Sequence, residues 1–180
     1  MFNHFQWYFR ILLRELLRMA DMLVKLYDIE FTDKKENLIK KGITIKKASV
    51  INRTEILNFV KEYFDSISWV NECEYALFNN PISCYIAVKD KEIIGFSCYD
   101  ATAKGFFGPM GVKNTCRGQG VGAELLMKAL GSMKEAGYGY AIMGWVAPNA
   151  INFYKKTAKA VMIEDSPPEK SVYKNLITQQ

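Results

Sequence analysis

The stretch from Phe107 to Leu126 constrains this chain more than any other. It reads Phe107-Gly108-Pro109-Met110-Gly111-Val112, then Lys113 to Cys116, then Arg117-Gly118-Gln119-Gly120-Val121-Gly122, then Ala123-Glu124-Leu125-Leu126. An apolar extended run enters a glycine-rich turn, and the turn opens a long helix. The helix carries Val121, Leu125, Leu126, Ala129, Leu130 and Met133 on one face, which is the spacing of an amphipathic helix. Such a strand needs a sheet and such a helix needs a layer to cover, so the chain is α/β. Glycine lets a backbone approach an anion closely. The first N–H groups of a helix lack internal partners, and the helix dipole favours negative charge there. Arg117 can add charge-assisted bonds to phosphate oxygens. The turn is therefore a candidate phosphate site; the alternative is that its glycines only shape a tight strand-to-helix connection.

Other phosphate motifs fit less well. The sequence has no G-x-x-x-x-G-K-[ST], and Gly118, Gly120 and Gly122 are spaced GxGxG rather than GxGxxG. No acidic residue ends a following parallel strand where a dinucleotide site would need one.

The flanking sequence supplies the other elements. Gly42 to Lys47 alternates apolar and polar residues as a strand does. Asn52 and Glu55 form a capping-box signature before Ile56, Leu57, Phe59, Val60 and Phe64 at helical spacing. A second helix is expected over Val70 to Phe78. Cys84 to Val88 and Ile93 to Tyr99, separated by Lys89-Asp90-Lys91-Glu92, read as a hairpin. A third strand covers about Gly105 to Val112, and the long helix is expected from near Arg117 to Glu135, with Gly137 as its stop. Tyr138 to Val146 reads as a buried strand, Asn149 to Lys156 as a short helix, and Val161 and Val172 as centres of two closing strands. The expected order is βααβββαβαββ.

Ahead of these lies a different segment. Phe2 to Ala20 is dense in Leu and aromatics with Arg10, Arg14, Glu15 and Arg18 inside it. Those charges argue against a membrane span and a signal peptide. Helical spacing of Phe9, Leu12, Leu13, Leu16 and Leu17 suggests an amphipathic helix that packs on the domain, dimerises or lies on a membrane surface. Translation from Met22 is the other reading. The expected division is an extension over 1–41 and one domain over 42–180.

Composition narrows the chemistry. The chain has 180 residues, 49% of them hydrophobic, and a formal charge of +5, which suits a single folded domain and an anionic ligand. Basic residues are interleaved with acidic ones, so no nucleic-acid partner is expected. The one histidine, His4, is N-terminal, which argues against His-based metal sites and Ser-His or Cys-His hydrolases. Cys73, Cys84, Cys98 and Cys116 form no C-x-x-C; reduced thiols and a cytoplasmic location are expected, with no metal.

Arg117, Gly120 and Gly122, as R-x-x-G-x-G after an apolar strand end and before Leu125-Leu126, resemble motif A of the GNAT acyltransferases. The resemblance extends from about Ile43 to Leu176 in the order and spacing of elements. It implies a mixed, splayed central sheet flanked by helices, with acetyl-CoA as cosubstrate in the gap. Backbone amides around Met110 and Val112 would meet the pantetheine and polarise the thioester. Arg117, Gly118, Gln119, Gly120, Val121, Gly122 and Ala123 would hold the pyrophosphate. The family's N-x-x-A-x-x-x-Y-x-K is met by Ala150, Tyr154 and Lys156, with Ala147 in the Asn position and Asn149 two residues later. The resemblance makes Tyr154 a CoA contact and the acid to the departing thiolate, and Asn149 a CoA contact. The activity it implies is acetyl transfer to a primary amine of a small molecule or protein, by direct attack in a ternary complex. A non-catalytic acyl-CoA-binding module is the alternative.

The general base is open. Exposing the lone pair of an amine with a pKa of about 10.4 costs roughly 4–5 kcal/mol at pH 7, so a proton acceptor is required. The strand before the glycine-rich turn has no acid. Asp100, Glu72 and Glu74 are the nearest candidates, with a water chain as an alternative. Trp69, Tyr75, Phe78, Tyr99, Phe106 and Trp145 are candidate walls of a compact, partly apolar acceptor pocket.

Overall fold

A computed structural model describes residues 19–31, 35–167 and 170–173. The expected N-terminal helix falls almost wholly on residues 1–18, outside the described residues, and Ala20 already begins a strand. The elements are β1 (Ala20–Lys25), α1 (Lys35–Ile39), β2 (Ile43–Lys47), α2 (Arg53–Phe64), α3 (Ile67–Phe78), β3 (Cys84–Lys89), β4 (Glu92–Tyr99), β5 (Phe106–Val112), α4 (Val121–Glu135), β6 (Tyr140–Val146), α5 (Pro148–Ala158) and β7 (Val161–Met162). They form one mixed sheet of order β2-β3-β4-β5-β6-β1-β7. β5 and β6 are parallel, and the other neighbours are antiparallel.

Alternation along the strands assigns the faces. On β4, Phe96 and Cys98 point into an apolar cluster with Ile56, Phe59 and Val60 of α2 and Cys73, Ala76 and Leu77 of α3. Ser97 points the other way and donates its hydroxyl to the Leu125 carbonyl of α4, 3.1 Å. The opposite face is covered by α4, whose Leu126, Ala129, Leu130 and Met133 pack on Met22, Val24, Ala141 and Met143. The full apolar stripe expected for α4 is buried.

Several boundaries and one strand differ from the sequence reading. β1 was not expected. It pairs with both β6 and β7, so residues 20–25 belong to the sheet, and Met22 lies inside a strand with no exposed surface. Its short run of only six residues, Ala-Asp-Met-Leu-Val-Lys, merges with the apolar segment before it, and no turn residue separates the two. α4 starts at Val121; residues 114–116 make a 3-10 turn and 117–120 a loop. Asn52 makes no capping bond to α2. Ser49 instead caps the preceding 3-10 turn through the Ile51 N–H, 3.3 Å. α3 starts three residues early because Ser66 caps it through the Trp69 N–H, 3.3 Å. Val172 is in a turn rather than a strand. Among the described residues, no helix is long and apolar enough to cross a membrane.

Candidate active site

The site begins where two strands part. β5 and β6 are paired only at Phe106–Ile142 and Phe107–Met143, and then diverge. β6 is turned aside by a bulge at Trp145, whose φ is 48°. The register with β1 slips there, between Ala20 and Met22. The buried Asp21 carboxylate holds the bulge by accepting the Trp145 N–H at 2.8 Å. Beyond Phe107, β5 is bonded to β4 alone, with Met110 opposite Ser97 and Val112 opposite Gly95. In an antiparallel ladder successive residues direct their polar groups to opposite edges. Lys113 N donates to Ile94 O of β4 at 2.8 Å, so Met110 and Val112 direct their N–H groups to the open edge. Gly111 must lack a Cβ, because one would run into the Phe64 ring of α2.

The glycine-rich turn stands at the far end of this edge. Gly118 has φ 74° and Gly120 has φ 92°, a left-handed region where side chains are strained. Nothing lies within 4 Å of a Cβ built on Gly118, so space is open over the turn. Gly120 is the N-cap of α4 and has no side chain to occupy the helix entrance. The Arg117 Nε donates to the Val112 carbonyl at 3.3 Å, which sets the guanidinium between the strand end and the turn.

A cavity of about 650 Å³ joins these parts. It is lined by the β5 residues 107–112, by Arg117, Gly118 and Gly120–Ala123, by β6 residues 143–146, and by Ala147, Asn149, Phe153 and Tyr154 of the α5 entrance and helix. Its other wall is Trp69 and Glu72 of α3, with Tyr173 from the C-terminal segment. Of the residues expected to bind, Met110, Val112, Arg117, Gly118, Gly120, Val121, Gly122, Ala123, Asn149 and Tyr154 all line this cavity. Gln119 does not; its carbonyl accepts from Lys41 Nζ at 3.5 Å on the outside of the turn.

The three expected catalytic residues separate. Glu72 is in the cavity, half-buried, with Thr102 donating its hydroxyl to Oε1. Burial raises its carboxyl above the ordinary value, and the Thr102 hydrogen bond opposes that shift. Tyr154 is also in the cavity. Its ring packs edge-on against Phe107 (6.2 Å between centroids) and Phe153 (5.2 Å). Its side chain retains some exposure into the cavity but is set deep in protein, and burial pushes the phenol well above its usual value, with Tyr173 adding to it. Asp100 lies outside. Its carboxylate accepts the Gly105 N–H at 2.8 Å and the Tyr138 hydroxyl at 2.9 Å, and pairs with Lys104. It fastens the β4–β5 connection. Glu74 is paired with Arg53.

Among the expected acceptor aromatics, Trp69 and Trp145 line the cavity. Tyr75 and Phe78 are exposed on the outer side of α3, and Tyr99 is buried in the core. Phe106 touches the site through Tyr173, 6.3 Å between ring centroids. Sequence reasoning missed Tyr173 and Thr102. Neither sits in a motif, and Tyr173 lies 71 residues from the Thr102 hydroxyl it approaches at 3.4 Å.

Three cysteines meet elsewhere. Cys84 and Cys98 are partners across β3 and β4, and Cys73 of α3 lies over them, with the three Sγ atoms within 4.8 Å of one another. Hydrogen bonds from Cys84 and Cys98 pull the Cys73 thiol down to about 5. Its hydrogen bond to Cys73 and burial hold Cys84 up, and burial above all holds Cys98 up. Three sulfurs at this spacing have the reach for a soft ion. Their neighbours are apolar, Phe59, Val60, Leu77 and Phe96 among them, which disfavours more than one thiolate.

Fold and site together define an α/β domain in which an open strand edge and a glycine-rich helix entrance face one cavity. Residues 50–158 match the Acetyltransferase (GNAT) family, and the chain belongs to that family. Membership implies acetyl transfer from an acyl-CoA. No curated protein matches the sequence. Solved structures share the fold. A GCN5-related N-acetyltransferase from Sphaerobacter thermophilus superposes with a TM-score of 0.57 at 18% identity, over 88% of this chain and 53% of that one. One from Kribbella flavida gives 0.56 at 16% identity, over 80% and 54%. A GCN5-related glucosamine N-acetyltransferase region of a fungal multi-domain beta-N-acetylglucosaminidase gives 0.64 at 15% identity, over 89% and 22%. This chain thus spans between about a fifth and about half of the length of those proteins.

Proposed function

We propose that this protein transfers the acetyl group of acetyl-CoA to a primary amine by direct attack in a ternary complex. One observation carries the reading: a glycine-rich helix entrance and a partly desolvated carboxylate line the same cavity, the turn following β5 and Glu72 being held by Thr102, which precedes it. The residues present fit acetyl-CoA. Gly118 leaves open space where phosphates approach backbone N–H groups, Gly120 leaves the helix entrance without a side chain, and Arg117 supplies the cation. When bound, acetyl-CoA supplies the activated acyl group. The Met110 and Val112 N–H groups donate to its pantetheine and thioester carbonyl, which favours attack at the carbonyl carbon.

Glu72 accepts the proton of the attacking amine. Desolvation raises its carboxyl, and a base with a raised pKa is better matched to this task at neutral pH. The new bond is nitrogen to acetyl carbon, and the bond lost is carbon to sulfur. Tyr154 meets the charge left on sulfur. Its raised pKa keeps the phenol protonated at every working pH, so it serves as a hydrogen-bond donor to a thiolate whose own pKa is about 8.5. A module that only binds acyl-CoA has no need of a desolvated carboxylate in the acceptor wall. The test is release of CoA thiol from acetyl-CoA with a panel of primary amines, with the N-acetyl products identified by mass. Turnover that depends on the amine supports the reading; acetyl-CoA binding with no amine-dependent turnover supports the binding module.

A further inference from the structure

The two ends of the cavity differ in charge. Arg117 and Glu72 are its only charged lining residues among the described ones. Arg117 follows β5, and Glu72 is tied to Thr102, which precedes it, so the basic and acidic groups stand at opposite ends of that strand. The acidic end is walled by rings: Trp69, Trp145 and Tyr173. Tyr173 comes from the last described segment, which is fastened to β1. Asp21 N donates to the Ser166 hydroxyl at 3.0 Å, and the Ser171 hydroxyl donates to the Asp21 carboxylate at 3.3 Å. From this anchor the Tyr173 ring reaches over β6 to pack on Trp145, 5.6 Å, and on Phe106, 6.3 Å. Its hydroxyl lies 3.4 Å from the Thr102 Oγ1 that bonds Glu72. The passage exists because residue 144 is glycine: a Cβ there would run into the Tyr173 ring and hydroxyl.

We propose that Tyr173 is the stopper of the acceptor end and that this end takes a short primary monoamine with an apolar or aromatic body and no acidic group. The proposal rests on the acetyl-transfer reading. One carboxylate satisfies one ammonium. Ring faces hold a cation and an apolar body together. Among the described residues no basic side chain lines the acidic end to meet a carboxylate on the acceptor, and a buried unpaired charge is costly, so the amino-acid counterpart of a good amine is rejected. A second ammonium, as in a polyamine, is unpaired there too. A chain longer than the box meets the Tyr173 ring.

The experiment compares kcat/KM for 2-phenylethylamine, phenylalanine, 4-phenylbutylamine and spermidine in the wild-type protein, Tyr173→Phe and Tyr173→Ala, with acetyl-CoA affinity measured by calorimetry in each. The wild type is expected to prefer 2-phenylethylamine by about tenfold or more over the other three, the range a pocket wall commonly provides. Tyr173→Phe keeps the ring and keeps the preference. Tyr173→Ala shifts the ratio toward 4-phenylbutylamine by about tenfold and leaves acetyl-CoA affinity unchanged. Gly144→Ala displaces the ring without altering the residue, and is expected to shift the ratio in the same direction; it carries the test if Tyr173→Ala does not fold. Amine-dependent turnover without preference, or with a ratio unmoved in both variants, overturns the stopper and leaves acetyl transfer standing. Acetyl-CoA binding with no turnover of any amine overturns both.

Discussion

Three side chains with similar prospects in the sequence have different fates, and their surroundings decide which. Asp100 has its oxygens occupied by Gly105, Tyr138 and Lys104, whereas Glu72 has one hydroxyl partner and a cavity. Glu72→Gln is expected to lower kcat/KM by about 10²–10⁴-fold near pH 7, the usual contribution of a positioned base. The loss should shrink as pH approaches the amine's own pKa of about 10.4, and the pH–rate profile measures both limbs. The same residue bears on stability with a definite sign. Its folded pKa is raised, so the folded state binds the proton more tightly than the unfolded chain does. Stability is therefore lost as pH rises from the ordinary carboxyl value through the raised one. Glu72→Gln removes that loss, and its melting temperature at pH 7 should equal or exceed that of the wild type. Tyr154→Phe keeps the ring contacts with Phe107 and Phe153 and removes only the hydroxyl. We expect kcat to fall about 10²-fold with acetyl-CoA affinity and melting temperature unchanged; wild-type kcat would return the residue to a packing role. The choice among carboxylates was not legible in the sequence, where Glu72, Glu74 and Asp100 are equivalent, whereas Tyr154 was marked there by its spacing from Ala150 and Lys156.

Two connections, one easily read and one not, build the open edge. The glycine-rich turn into α4 is readable because its demands are local: Gly118 and Gly120 at positive φ, and an apolar helical stripe immediately after. Gly120→Asp places a β-carbon in a strained region and a negative charge at the helix entrance. Loss of one or two charge-assisted bonds at roughly 1.5–3 kcal/mol each predicts a fall in acetyl-CoA affinity of about 10- to 10⁴-fold, measured by calorimetry on the folded variant. Unchanged affinity would move the ligand elsewhere. The bulge in β6 is not readable, because its cause, Asp21, lies 124 residues away. Asp21→Ala leaves the Trp145 N–H without its partner and releases Ser171. An orphaned donor costs about 1–3 kcal/mol when fully buried and less at this part-buried site, so the denaturation midpoint should drop by the equivalent of about 1 kcal/mol, while Asp21→Asn, which keeps an acceptor oxygen, should lose less.

The sheet divides about the cavity. β2 to β5 form one part and β6, β1 and β7 the other, joined by two residue pairs and by the helix α4 that packs on both. A ligand between the parts binds only the folded state. At a hundred times its dissociation constant it should stabilise the protein by about 2.7 kcal/mol, which for a domain of this size corresponds to a melting shift of roughly 5–10 °C. Acetyl-CoA should give that shift in a thermal melt, and Gly120→Asp should abolish it. By itself the sequence determined the α/β class, the hairpin, the α4 stripe and the turn at its entrance, since each depends on periodicity or backbone freedom within about twenty residues. Only the tertiary structure decided which carboxylate faces the cavity, that β1 enters the sheet beside β6, and that Tyr173 packs over Gly144 as part of the cavity wall. Those depend on pairs of residues from about 30 to 150 positions apart, and such pairs leave no local pattern, because each partner alone is an ordinary Glu, Asp, Tyr or Gly until folding brings the other beside it.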